Sequence, residues 1–263
     1  MAREKQQLPP GFYRTTFMIG IGFFTMGLMD PLYDNYVPVF LDGFVGSRAL
    51  IGSLMTIDNI MAVLLIPVVT AWSDNTRTPI GRRMPFVTVL LPLSAVGFAL
   101  LPYAGTATLA AFVIALVGFN LFKQSARGPV VALMPDSIPN EYRSEANGVI
   151  NMMGGIAAVV GTVVLAPLMD LRLVLPVVGD TSRRLPFLIA AVLIVLAAVL
   201  LRLTVKERRL DETSAARTPL LRSLRAVFAQ EDRGAVYILI ALFLWFSAYW
   251  GMRPFMTLYV IEY

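Results

Sequence analysis

Charged side chains lie inside long apolar runs of this sequence. The segment MDPLYDNY contains Asp30 and Asp34, TIDNI contains Asp58, and FNLFKQSARGP contains Lys123 and Arg127. A charge at the centre of a membrane helix costs about 2.5–3.5 kcal/mol on insertion scales, so such residues normally face a cavity or a partner. These five side chains therefore predict a polar site for a small solute and a coupling ion within an otherwise apolar protein.

The spacing of these residues indicates which of them can meet. Asp30 and Asp34 are four residues apart and share one face of a helix, with Tyr33 and Asn35 beside them to offer stacking and hydrogen bonds. At about 1.5 Å of rise per residue, Asp30 and Lys123 both fall near the middle of the membrane. We therefore expect that the two can pair.

Asp34 and Asp58 both fall nearer the outer end of their helices and can cluster, whereas Arg127 falls nearer the inner end. A carboxylate withdrawn from water binds a proton more readily, so Asp30, Asp34 and Asp58 are all candidate proton carriers. The alternative is an inert ion pair that holds two helices together. The residues alone leave the choice open.

Several kinds of chemistry are excluded by composition. The chain contains no cysteine and no histidine, which removes disulfides, thiolate chemistry, histidine metal sites and histidine proton relays. We predict no enzyme activity, no metal site and no cofactor, with H⁺ as the coupling ion. The net charge of +5 is attributed to loop arginines that fix membrane topology, and no nucleic-acid partner is expected.

The fold class follows from the apolar runs. Of the 263 residues, 57% are hydrophobic and 15% are charged, against about 25% charged in soluble domains. Runs of about 20 residues can cross a bilayer as helices, so the sequence predicts an all-α, polytopic membrane protein. The predicted helices are Thr15–Phe40, Leu50–Trp72, Pro85–Tyr103, Thr108–Met134, Asn147–Met169, Pro186–Leu203 and Ala235–Ile261.

Basic residues are concentrated before the first run and in two of the loops, which places the N-terminus in the cytoplasm by the positive-inside rule. A bacterial-type plasma membrane is the expected location. We divide the chain into a cytoplasmic N-terminus (1–14), a six-helix bundle (15–203), a cytoplasmic loop (204–234) and the first helix of a second half (235–263). Within that loop, Pro219–Gln230 predicts a basic amphipathic helix.

A short sequence recurs at two helix starts. GRRMPF (Gly81–Phe86) begins the third run and SRRLPF (Ser182–Phe187) begins the sixth. A three-helix unit repeated once is inverted in the membrane, which is typical of transporters. We expect Arg183 and Arg184, which then lie outside, to pair with Asp170 and Asp180.

The segment SDNTRTPIGRRMPF resembles the loop between the second and third helices of the major facilitator superfamily, and it looks most like the glycoside-pentoside-hexuronide cation symporters and plant sucrose transporters. RGPVVALMPDSIPNEYRSEANG and YVPVFL are also similar to segments of that group. The resemblance implies the family's six-helix bundle, sugar transport by alternating access and a cytoplasmic gate. The residues that match the gate are Asp74, Arg77, Gly81, Arg82 and Arg83.

Two departures from that pattern refine the expectation. Thr70 occupies the position of the motif's first glycine, where two helices pack tightly. The carboxylate pair that precedes a proline in the second helix of melibiose-permease-type symporters is replaced by Ala62 and Ile66. A sodium site of that type is therefore not expected, which favours coupling to protons or facilitated exchange.

We predict a secondary active transporter of a sugar or similar small polar solute, working as a proton symporter in the lipid bilayer. A truncated, non-transporting half that lacks the C-terminal transporter half is the alternative. A seven-helix sensor is a further alternative, although the last apolar run has no lysine for a Schiff base.

Overall fold

The computed structural model describes residues 11–172, 174–175, 179–205, 207 and 233–262. The chain divides into two compact units, Met1–Arg209 and Leu210–Tyr263. Apart from turns and loops, the described part is helical, with one antiparallel pair of two-residue strands, β1 (Val174–Leu175) and β2 (Gly179–Asp180). The all-α class is thus confirmed, while the amphipathic helix predicted at Pro219–Gln230 lies outside the described residues.

The first unit contains six spans. The fifth span is one continuous run, Asn140–Asp170, in which the helix α5 (Arg143–Val159) is followed by a π-helical turn at Val160–Leu165 and a 3-10 turn at Ala166–Asp170. Within the described residues, six spans are long and apolar enough to cross a membrane. The helices are α1 (Phe12–Asp42), α2 (Arg48–Asn75), α3 (Met84–Ala104), α4 (Leu109–Ser137), α5 (Arg143–Val159) and α6 (Leu185–Thr204).

The second unit contains α7 (Gly234–Glu262), a helix of 29 residues. Many of its apolar side chains are exposed within the chain, including Leu239, Phe243 and Phe246. An apolar surface of this kind suits contact with lipid or with another protein surface.

Local signals start several helices where the sequence predicts them. Pro85 and Pro186 lie in the first turns of α3 and α6, where a missing N–H costs no intrahelical hydrogen bond. Thr108 caps α4, and its side-chain oxygen accepts a hydrogen bond from the backbone nitrogen of Ala111 at 3.2 Å. These signals are local, so they are readable from the sequence.

The packing of the six spans has the pattern of an internal repeat. The principal helix pairs are α1 with α5 and α2 with α4, together with α3 on α4, α3 on α6 and α1 on α6. If α1, α2 and α3 are exchanged with α4, α5 and α6 respectively, the pair α1–α5 becomes α4–α2. In the same way α3–α4 becomes α6–α1, and α3–α6 becomes itself. Each pair therefore has its counterpart, as expected for two repeated three-helix units.

A buried aromatic cluster joins four of these helices. The rings of Phe98 and Phe187 have centroids 4.8 Å apart, and those of Phe98 and Phe119 are 5.2 Å apart. Phe40 extends the cluster to Phe187 at 5.9 Å and to Phe112 at 6.0 Å. Close-packed rings stabilise one arrangement of α1, α3, α4 and α6, and α4 in turn carries the polar residues described next.

Candidate functional site

One ion cluster lies between α1, α2 and α4. The Nζ atom of Lys123 lies 2.9 Å from Oδ1 of Asp30 and 3.9 Å from Oδ2 of Asp58. Gln124 joins the group because its Nε2 donates a hydrogen bond to Oδ1 of Asp58. We call Asp30, Asp58, Lys123 and Gln124 the central cluster. The Asp30–Lys123 contact agrees with the expectation from the sequence, in which both residues fall near the middle of the membrane.

The central cluster has a buried layer, which contains the ammonium group, and a part-exposed layer, which contains the carboxylates. The Lys123 side chain is only 4% exposed, whereas those of Asp30 and Asp58 are 27% and 19% exposed. A buried ammonium group needs compensating partners, which the two carboxylates supply from the open side. Behind it, the ammonium lies 4.7 Å from the centroid of the Tyr33 ring and 5.6 Å from that of Phe119, so cation–π attraction adds to its stabilisation.

Two buried amides support this layer and were missed in the sequence. Asn120 donates from Nδ2 to the hydroxyl of Tyr33 at 2.9 Å, and Gln124 donates to Asp58. In the described part of the chain, the amide oxygens of Asn120 and Gln124 are buried and have no hydrogen-bond partner. Neither residue is charged, so neither stands out in its apolar run. Their spacing is the available signal, because Asn120 and Gln124 are four residues apart and flank Lys123.

The remaining predicted solute-site residues are not all in this cluster. Asp34 and Asn35 are half-buried about one turn further along α1. Tyr33 is fully buried, and its ring contacts α4 rather than offering a face for stacking. Arg127 is exposed, and no described residue forms a salt bridge with it. Lys123 and Arg127 are four positions apart on α4, but only the lysine faces the core.

A second ion cluster surrounds Arg83 at the start of α3. Its guanidinium group is fully buried and places Nε 2.9 Å from Oδ2 of Asp136. Nη1 donates to the backbone oxygen of Thr70 at 3.0 Å and to the hydroxyl of Ser73, while Nη2 pairs with Asp74. One arginine therefore links the ends of α2 and α4 to the beginning of α3.

Arg82 and Glu207 complete this second cluster. Nη2 of Arg82 lies 2.9 Å from Oδ1 of Asp136, and its Nε lies 3.6 Å from Oε1 of Glu207. The backbone nitrogen of Arg83 donates to Oε2 of Glu207 at 2.9 Å. We call Asp74, Arg82, Arg83, Asp136 and Glu207 the loop cluster. Burial raises the pKa of Glu207, an effect opposed by backbone N–H donors and by the charge of Arg82.

Two glycines make the close approaches around the loop cluster possible. Gly81 has φ of 111°, and a side chain there would collide with the carboxylate of Glu207. A Cβ atom at Gly128 on α4 would collide with the hydroxyl of Thr70 and lie 3.0 Å from the backbone oxygen of Ile66. Helices α2 and α4 therefore still pack tightly although Thr70 replaces the motif's first glycine, because Gly128 on α4 lies opposite Thr70.

Asp136 and Glu207 were not identified from the sequence. Asp136 lies in MPDS at the end of α4, and Glu207 lies in VKERR after α6, a segment interpreted only as positively charged. The only sequence signal for a role at this site is their negative charge, which can pair with the double arginine at residues 82–83. Of the other predicted gate residues, Arg77 is exposed and Gly81 forms the turn.

The second double-arginine corner differs from the first. Arg184 lies 4.5 Å from the centroid of the Tyr103 ring and donates to the backbone oxygen of Asp180 at 3.2 Å. Oδ1 of Asp180 accepts instead from the backbone nitrogen of Ser182. Among the described residues, the predicted ion pairs of Arg183 and Arg184 with Asp170 and Asp180 are not formed, because a carbonyl and an aromatic ring satisfy Arg184.

Comparison with protein families identifies the family of this chain. The sequence profile described as Major Facilitator Superfamily matches residues 13–263. The chain belongs to the major facilitator superfamily. Members of this superfamily are multi-pass integral membrane transporters, in agreement with the six long apolar helices. Comparison with curated protein sequences finds no match.

A solved structure shows the same fold. It is a bacterial homologue of the human lysosomal transporter Spinster, in an inward-facing and unoccupied conformation, with a TM-score of 0.61 and 16% sequence identity. The match covers 85% of this chain and 50% of the solved chain. At this identity the likeness concerns the fold alone, and the chain spans about half the length of the transporter it matches.

Proposed function

We propose that this major facilitator chain forms part of a secondary active transporter that carries a sugar or similar small polar solute together with a proton. The observation that carries the proposal is the central cluster, in which one buried ammonium group joins two part-exposed carboxylates from different helices. Charges are retained inside a membrane bundle chiefly at solute and ion pathways.

The charge balance of the central cluster supports proton coupling. Lys123 is the only cation among its members, and Asp30 and Asp58 both lie within ion-pair distance of the ammonium. Binding of one proton by either carboxylate balances the charge of this trio. The half-buried Asp34 adds further negative charge nearby, so an uncharged solute suits this surface better than an anion does.

The loop cluster supports a gate. Two arginines and three carboxylates join α2, α3, α4 and the residue Glu207 beyond α6. We assign the five residues to a latch that holds one end of the bundle closed and that opens during alternating access. With the N-terminus in the cytoplasm, this latch lies on the cytoplasmic side.

A second half is part of the proposed transporting unit. The chain spans half the length of the solved transporter, and α2 leaves an apolar face exposed, including Val63, Leu64 and Val68. We propose that a second helical bundle of the same superfamily type completes the pathway. A chain that remains alone in the membrane would be the non-transporting alternative.

Transport in proteoliposomes tests the proposal. With both halves present, uptake of at least one sugar from a panel of labelled mono- and disaccharides should acidify the vesicle lumen and collapse on addition of a protonophore. Asp30→Asn and Asp58→Asn should reduce uptake, whereas Asp42→Asn, at an exposed end of α1, should not. Uptake that is indifferent to the proton gradient and to both central substitutions would contradict proton symport.

The non-transporting alternative is tested with the chain alone. Absence of uptake by the isolated chain, combined with uptake when a second half is supplied, supports the two-half unit. Full uptake by a monomer of this chain, established by its mass in detergent, would overturn it.

A further inference from the structure

The two carboxylates of the central cluster are held by chemically different partners. Asp30 contacts the ammonium of Lys123 at 2.9 Å, while Asp58 lies 3.9 Å from the same atom. Asp58 instead accepts a hydrogen bond from the side-chain amide of Gln124. An ammonium group only donates hydrogen bonds, whereas a glutamine amide carries a donor and an acceptor on one rotatable group.

The orientation of the Gln124 amide follows from the charge of its partner. An ionised carboxylate only accepts hydrogen bonds, so the nitrogen of the amide must face Asp58. This orientation leaves Oε1 of Gln124 buried and without a hydrogen-bond partner among the described residues, in a side chain that is 1% exposed. An unsatisfied buried acceptor is costly and calls for a functional explanation.

We infer that Asp58 is the carboxylate that binds the coupling proton, and that Gln124 is the positioning residue that holds it in both protonation states. The inference rests on the proposed proton symport and specifies its site. When Asp58 is protonated, a half-turn of the Gln124 amide brings Oε1 to the new O–H group. The amide oxygen that lacks a partner in the ionised state then has one.

The proton step exchanges one O–H bond for another. A hydronium ion in the water on one side of the membrane gives up its proton, so that its O–H bond breaks as an O–H bond forms at Oδ1 of Asp58, and Oε1 of Gln124 accepts a hydrogen bond from the new O–H group. In the reverse step the O–H bond breaks, the proton leaves through water on the other side, and the amide turns back. Asp30 remains ionised against Lys123 throughout.

The charges around Asp58 favour this assignment. From α4, the ammonium of Lys123 stabilises both carboxylates in their ionised form, but it acts more strongly on the nearer Asp30. From α1, the charged groups of the neighbouring helix are the carboxylates of Asp30, which pairs with Lys123, and of Asp34, and the Tyr33 hydroxyl is engaged by Asn120. The carboxylate further from the ammonium, Asp58, is therefore the one that takes the proton first.

Infrared difference spectroscopy across a pH titration tests the inference without any solute. In the complete transporter in lipid, protonation of a buried carboxyl group produces a carbonyl band. Asp58→Asn should remove this band, and Asp30→Asn should retain it. Gln124→Leu should retain the band but shift it to higher frequency, because the carboxyl group loses its acceptor. Asn120→Leu, which removes a buried amide four residues earlier on α4, should leave it in place.

Opposite results overturn the inference. A band that disappears in Asp30→Asn and persists in Asp58→Asn assigns the proton to Asp30, and an unshifted band in Gln124→Leu removes the role of Gln124. Absence of any titrating band in the native protein also contradicts it. If Asp58→Asn does not fold, Asp58→Glu should displace the band. A lack of sugar uptake with the band present would refute only the proposed transport.

Discussion

The Nε atom of Arg83 lies 2.9 Å from Oδ2 of Asp136, so the residue before the first turn of α3 is bonded to the last turn of α4. The same guanidinium group reaches Asp74, Ser73 and the backbone of Thr70 at the end of α2. Three helix ends are thus joined by one fully buried side chain. Any motion that separates these ends must break several charge-assisted hydrogen bonds at once, which is the property expected of a latch.

Arg83→Lys should slow transport while leaving the apparent solute affinity nearly unchanged, because it destabilises the closed state of the latch that each transport cycle must form again. A lysine presents a point charge and cannot reproduce the planar set of donors that contacts Asp74 and Asp136 together. Loss of one charge-assisted hydrogen bond is worth about 1.5–3 kcal/mol, which corresponds to a rate change of roughly tenfold or more. Initial uptake rates over a range of solute concentrations separate the two parameters.

Arg14→Lys, at an exposed site near the start of α1, serves as the control for that measurement. A large loss of affinity in Arg83→Lys with an unchanged maximal rate would argue against the latch.

Lys123→Met should destabilise the protein, because it leaves the carboxylates of Asp30 and Asp58 without their shared cation. Removing one partner of a buried ion pair costs about 3 kcal/mol or more, and the part-exposed carboxylates place this pair at the lower end. The double variant Lys123→Met with Asp30→Asn should recover part of the loss. Melting temperatures in detergent compare the native protein, Lys123→Met and the double variant. A double variant no more stable than Lys123→Met would show that Asp30 and Lys123 do not stabilise each other.

Glu207→Gln should reduce the pH dependence of stability. The pKa of Glu207 is raised by burial above its ordinary value of 4.5, so the native state retains a proton that the unfolded chain has lost. The unfolding free energy therefore falls as pH rises from that value through the raised pKa. Between about pH 5 and pH 7, the melting temperature of the native protein should fall more than that of Glu207→Gln.

The exposed Glu141 provides the matched substitution for that comparison, since Glu141→Gln should follow the native pH profile. Identical pH profiles for the native protein and Glu207→Gln would contradict the assignment.

Gly81→Ala should destabilise the α2–α3 corner for two reasons. The backbone φ of 111° is unfavourable for any residue with a Cβ atom, and that atom would collide with Glu207. Gly118→Ala in α4, where a Cβ would meet nothing within 4 Å, should instead stabilise the protein by about 0.4–1 kcal/mol. Melting temperatures of the two variants should move in opposite directions; a neutral Gly81→Ala would contradict the close contact with Glu207.

Much of the fold is readable from the sequence because its signals are local. The length of each apolar run determines whether a helix can span a bilayer, and the observed helices agree with the predicted ones to within a few residues at most ends. Asp30, Asp58 and Lys123 stand out because a charge inside an apolar run is rare and costly. The double arginine at residues 82–83 carries the family resemblance in the same local way.

The partners of those residues are not local. Gln124 carries no charge, so only its position against Asp58 reveals its part in the central cluster. Asp136 and Glu207 come from chain segments that are remote in sequence from the double arginine at residues 82–83. Nothing in the local sequence around either residue indicates this partner. Ion pairs across helices depend on how the helices are rotated and packed, and no single run of sequence contains that information.

The two double-arginine segments, GRRMPF and SRRLPF, show most directly what is local and what depends on tertiary structure. The sequence by itself determined that GRRMPF and SRRLPF each begin a helix with proline in its first turn, since that signal resides in the backbone chemistry of the segment. The tertiary structure decided that Arg83 is buried against Asp74 and Asp136 while Arg184 lies half-buried on Tyr103. The environment of each arginine is supplied by neighbouring helices, and near-identical segments therefore hold their arginines in different ways.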